Sequence, residues 1–116
     1  REIKLPTALN AYEDIYLLRQ LLRKGWKYRY IEVRGLHYSD EGTFRKARWY
    51  GANARVLYSL DPSDTLLARR HLTLPAKGAV ASLLTLDPKP FIWSIGFAAN
   101  FFVGWANPKL YRMLRR

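Results

Sequence analysis

The side chains best suited to chemistry near neutral pH are the histidines, and the chain has two, His37 and His71. Neither has a second His, a Cys or a carboxylate at metal-ligand spacing. Cys is absent altogether, which excludes a disulfide scaffold and a thiolate-bound zinc or iron–sulfur centre. Ser59, Ser63 and Ser82 sit in no nucleophile elbow. The glycine-containing stretches Gly51-Ala52-Asn53 and Ala76-Lys77-Gly78-Ala79 are too short for a loop that cradles phosphate. Asp61 and Asp87 stand in two Leu-Asp-Pro tripeptides, 26 residues apart. Asp before Pro starts a helix, with Asp as cap and Pro in the first turn, so two helix beginnings explain them better than an acid–base pair. The expectation is a protein without catalysis and without a cofactor.

Charge is the stronger signal. The 116 residues carry 20 Lys+Arg against 9 Asp+Glu, a net charge of +11, which points to a polyanionic partner. With 49% hydrophobic and 15% aromatic residues, the chain is built to fold, and its length suits one domain. It begins at Arg1, which implies a processed chain or a piece of a longer one. The candidate contacts to a basic-seeking partner or to anionic lipid headgroups are Arg23, Lys24, Lys27, Arg29, Arg34, Arg45, Lys46 and Arg48. Trp26, Tyr28, Tyr30, Trp49 and Tyr50 are interleaved with them, so nucleic acid is the alternative partner, through phosphate pairing and base stacking.

These residues must be positioned by local structure. Asn10 to Lys24 has the pattern of an amphipathic helix, with Asn10 as cap, Glu13 three residues on and Gly25 as the stop. Trp26 to Arg34 alternates at period two and predicts a strand, and Phe44 to Tyr50 and Arg55 to Leu60 read as short strands or as helix, given Ala47, Ala52 and Ala54. A helix is expected from Asp61-Pro62 to the residue before Pro75, and a short packed helix from Ala76 to Leu86. The fold class expected is mainly α, with α+β as the alternative.

Pro90 to Pro108 contains no charged residue, and its 19 residues would span about 28 Å as a helix, near the thickness of a bilayer core. This predicts a single C-terminal transmembrane helix. Gly96, Asn100 and Gly104 recur every four residues and form its packing face. Trp93, Trp105, Lys109, Tyr111, Arg112, Arg115 and Arg116 would anchor it at the membrane interface. The organisation is then a basic extramembrane region over 1–89, a membrane helix over 90–108 and a basic tail over 109–116.

This layout resembles single-pass accessory subunits of mitochondrial oxidative-phosphorylation complexes. The Lys89-Pro90 lead-in with Trp93 and Gly96-Phe97-Ala98 is similar to the tail of the small f subunit of the ATP synthase. That resemblance implies a non-catalytic subunit in the mitochondrial inner membrane that stabilises or assembles a respiratory-chain or ATP synthase complex, with its other subunits and anionic lipid as partners. Arg48-Trp49-Tyr50-Gly51-Ala52-Asn53 followed by Leu57-Tyr58-Ser59-Leu60 is similar to a stretch of the twenty-seventh bacterial-type large-subunit ribosomal protein of mitochondria. It implies the alternative function, a ribosomal or RNA-binding structural protein in which residues 90–108 form a buried helix.

Overall fold

The computed structural model describes residues 4–29, 43–62 and 65–111. Among them there are six helices and no strand: α1 (Glu13–Arg23), α2 (Thr43–Leu60), α3 (Leu66–Leu72), α4 (Leu74–Thr85), α5 (Lys89–Ala106) and α6 (Pro108–Tyr111). The α+β alternative is therefore corrected. Phe44 to Tyr50 and Arg55 to Leu60 are parts of one 18-residue helix. Ala47, Ala52 and Ala54, all buried, favour helix and leave room for a neighbour. Trp26 to Arg29 has no regular structure, and the rest of the expected strand, with Arg34 and His37, lies outside the described residues.

The expected membrane span is also corrected. No helix among the described residues is long and apolar enough to cross a membrane. Helix α5 is 18 residues long, but Lys89 occupies its first position and Ser94 and Asn100 interrupt it, so its apolarity is diluted. It ends at Ala106, and Pro108 opens the separate short helix α6.

Helix α5 is the centre of the packing. Its buried stripe is Ser94, Ala98, Phe101 and Gly104, at the spacing of one helical face. Helix α2 crosses it at two glycines. A Cβ added to Gly51 would collide with the Phe101 carbonyl, and one added to Gly104 would collide with the Arg48 carbonyl. The two backbones touch with no side chain between them. Helix α4 meets α5 at Gly78, where a Cβ would strike the Ser94 hydroxyl and approach the Pro90 carbonyl. The core around this crossing is small and aromatic: Ala47, Ala52, Ala54, Leu57, Ala98 and Phe101 are buried.

The N-terminal segment is tied on by polar contacts. Asn53, fully buried in α2, accepts the Asn10 backbone N–H at 3.0 Å and donates to the Trp49 carbonyl at 2.9 Å. Asn10 is thus a partner of α2 rather than the cap of α1. The capping position falls to Tyr12, in left-handed backbone with φ 63°. At the far end of α1, Arg23 Nη2 donates to the buried Asp61 carboxylate at 2.6 Å. Asp61 therefore holds α1 to the end of α2, and α3 begins five residues later, at Leu66, behind Thr65.

Candidate functional site

Helices α4 and α5 form an antiparallel hairpin, and its turn is unusual. Leu86 closes α4 in left-handed backbone, φ 53°, a position that glycine normally takes because a Cβ there costs about 1–2 kcal/mol. Every backbone N–H at the start of α5 nevertheless finds an acceptor. The Lys89 N–H goes to Asp87 Oδ1 at 3.0 Å, Pro90 has none, the Phe91 N–H goes to Ser82 Oγ at 2.9 Å, and the Ile92 N–H goes to the Pro88 carbonyl at 3.1 Å. Asp87 is thus committed to the turn, and the second Leu-Asp-Pro tripeptide does start a helix, with Pro88 as its cap residue.

The outer face of this hairpin is apolar and uncovered. Leu83 is 76% exposed, Leu84 81% and Leu86 91%. Val80 and Ile92 continue the exposed apolar surface. A groove of about 500 Å³ runs beside it between α4 and the start of α5, floored by Leu74, Gly78, Ala81 and Trp93, with Lys77, Lys89 and Asp87 as its charged lining. A second groove of about 380 Å³ lies at the turn between Leu83, Leu86 and Phe91. The arrangement offers apolar surface whose charged lining, two lysines and Asp87, is net positive, and such a surface can bind an amphipathic segment.

A second cluster lies on the other side of α5. The His71 ring lies flat on Phe101, with centroids 3.7 Å apart and planes at 3°, and its Nδ1 is 2.7 Å from the Leu67 carbonyl. A carbonyl only accepts, so Nδ1 carries the proton. Burial holds the His71 pKa below the usual histidine range. The Tyr12 ring meets Tyr50 at a tilt, centroids 5.6 Å apart, and its phenol is pushed well above the usual tyrosine value, first by burial and then by the neighbouring Tyr50.

The residues singled out in the sequence scatter over these elements. Gly104 lies against Arg48 of α2, and Gly96 faces the Phe44 ring of the same helix. Asn100 Nδ2 donates to the Gly96 carbonyl, inside its own helix, at 2.8 Å. Trp93 stacks with Phe97, Trp105 packs on Tyr58, and Arg55 stands 5.6 Å from both the Tyr58 and Trp105 rings. Tyr111 receives the Arg48 guanidinium at 5.6 Å, Lys46 stands over Tyr50, and Arg23 pairs with Asp61. Lys24, Lys27, Arg29, Arg45 and Lys109 are exposed. Arg112, Arg115 and Arg116 lie outside the described residues. Sequence reasoning missed Asn53 and the uncovered leucines of α4. The absence of any acidic residue and the single Lys77 in α4 were the available signal for the latter.

Comparison of the chain with protein-family models, with curated proteins and with solved structures finds no match. The likeness to mitochondrial oxidative-phosphorylation subunits is therefore withdrawn, and with it the inner-membrane location, the headgroup anchors and the partners in a membrane complex. The ribosomal and RNA-binding alternative is withdrawn too. Its stacking residue Trp49 is buried, and Tyr50, Arg48 and Arg55 are engaged with rings of the chain itself.

Proposed function

We propose that this chain is a non-catalytic helical recognition domain whose α4–α5 hairpin binds an amphipathic helix with acidic flanks on another protein. The observation that carries this is the ridge of Leu83, Leu84 and Leu86, exposed beside a groove that has lysines at its rim. Covering a leucine that is otherwise in water is worth about 1.5–3 kcal/mol, so three in one ridge can drive association. Leu86 strengthens the argument. It occupies a strained backbone position and gives almost nothing to the core of its own chain.

Charge selects the partner. The chain is at +11, so a second copy would bring more positive charge, whereas Glu or Asp beside the apolar stripe of a partner helix would meet Lys77 and Lys89, which outnumber the one carboxylate of the groove, Asp87. The test uses the full chain and two fluorescein-labelled synthetic peptides with Leu at i, i+3, i+4 and i+7, one flanked by Glu and one by Lys. The acidic peptide should bind at least tenfold more tightly than the basic one. The Leu83→Ser/Leu84→Ser variant should lose the acidic peptide by a further factor of about ten. Equal binding of the two peptides would overturn the charge argument. Undiminished binding by the double variant, or sedimentation showing the ridge closed in a homodimer, would overturn the surface.

A further inference from the structure

Residues of α2, α3, α4 and α5, with Tyr12 at the start of α1, converge on a half-open cavity of about 430 Å³. Tyr12 comes from the start of α1, Tyr50 from α2, Arg70 and His71 from α3, and Trp93 and Phe97 from α5. The volume lies in the range of small-molecule sites. The walls are aromatic: Tyr12 and Tyr50 are tilted against each other with centroids 5.6 Å apart, and Trp93 is stacked with Phe97 at 5.0 Å.

The polar groups are few and distinct. Arg70 is exposed, enters no ion pair among the described residues, and brings a planar fork of donors to the cavity. His71 is oriented rather than free to turn. Its ring is stacked between Phe101 and Phe97, and its Nδ1–H is taken by the Leu67 carbonyl. Because burial and the adjacent Arg70 both disfavour the imidazolium, His71 adds an aromatic surface and a lone pair at Nε2, not a second charge. Burial, and then the neighbouring Tyr50, push the Tyr12 phenol well above the usual tyrosine value, so it stays a neutral hydroxyl group. The cavity therefore combines flat apolar walls with one fixed cation and no carboxylate.

We propose that this cavity binds a small planar aromatic carboxylate, its ring between the paired aromatic walls and its carboxylate on the Arg70 guanidinium. A carboxylate fits better than a cation because no acidic side chain is in the cavity lining, and better than an uncharged ring because the exposed Arg70 guanidinium enters no ion pair among the described residues. The site shares Leu74 and Trp93 with the α4–α5 groove, but Arg70, His71 and the two tyrosines belong to it alone, so the two readings can fail independently.

The probes are 2-naphthoate and its neutral counterpart 2-naphthamide, titrated against the full chain by calorimetry and by the NMR shift of the His71 ring protons. Naphthoate should bind at least tenfold more tightly than naphthamide and shift the His71 signals through its ring current. In Arg70→Gln, an exposed substitution that leaves every packed contact in place, that preference should vanish while naphthamide binding is unchanged. Equal affinity for acid and amide in the natural chain, naphthoate binding that Arg70→Gln leaves intact, or saturation without movement of the His71 signals would each overturn the proposal.

Discussion

Arg23 and Asp61, 38 residues apart, are joined by a 2.6 Å hydrogen bond from guanidinium to carboxylate, and Arg19 stands 3.8 Å from the same carboxylate oxygen. The carboxylate is buried and Arg23 is about half exposed. Helix α1 has no buried residue of its own, so this pair and the Asn10–Asn53 bond carry much of its attachment.

Asp61→Asn keeps the shape and removes the charge. It should cost about 1–3 kcal/mol in urea denaturation, the range for a charge-assisted hydrogen bond at a part-buried site. Amide exchange should rise first in Glu13–Arg23 while α5 stays protected. A loss of protection spread evenly over both helices would mean that the pair supports the whole core instead.

The glycines of the α2–α5 crossing make a graded series. Gly51→Ala and Gly104→Ala each place a methyl group into a backbone carbonyl, which cannot rotate away, so the helices must separate. Each should cost about 3 kcal/mol or more, at or beyond the upper end for overpacking. Gly96→Ala meets only the Phe44 ring, which is half-exposed and can move, so it should cost less than either. Gly25→Ala meets nothing, but its φ of +82° should still cost about 1 kcal/mol. Thermal melts of the four variants should follow that order.

His71 and Tyr12 give the stability a defined pH dependence. The His71 pKa in the fold lies below its ordinary 6.5, so the unfolded chain binds the extra proton first. The contribution of neutral His71 is complete above pH 6.5 and is lost as pH falls toward the folded value. Tyr12 acts at the other end. Its folded pKa is raised, so the unfolded chain loses the proton first and stability falls as pH rises above 10.0. His71→Phe should flatten the acid limb below pH 6.5, and Tyr12→Phe the alkaline limb, both read from urea midpoints. An acid limb unchanged in His71→Phe would assign it to the carboxylates alone.

The helical periods of α1 and α5 were legible because both are amphipathic or apolar over more than two turns. Helix α2 was harder. Its Arg-Trp-Tyr and Val-Leu-Tyr clusters have the composition of strands, and only the small residues Ala47, Gly51, Ala52 and Ala54 disclose a helix that another backbone touches. The reading of residues 90–108 as a membrane span failed for a related reason. An uncharged, glycine-bearing helix is equally suited to the middle of an all-helical core, and hydropathy alone does not distinguish lipid from protein as its surroundings. The leucines of α4 illustrate the same limit. The apolar run from Ala76 to Leu86 predicts a packed helix, but whether a face is covered depends on how many neighbouring helices reach it, and that is settled by distant parts of the chain.

The glycine contacts also set an order of assembly. Gly78 and Ser94 meet across 16 residues of chain, whereas Gly51 and Phe101 meet across 50. Closing the longer loop costs about 1 kcal/mol more in chain entropy, which favours the α4–α5 contact as the earlier one. On that order the α4–α5 hairpin is the first of these two contacts to form. Its leucine ridge is in place before α2 arrives, so a partner that recognises the ridge could engage the chain while the rest of it is still folding.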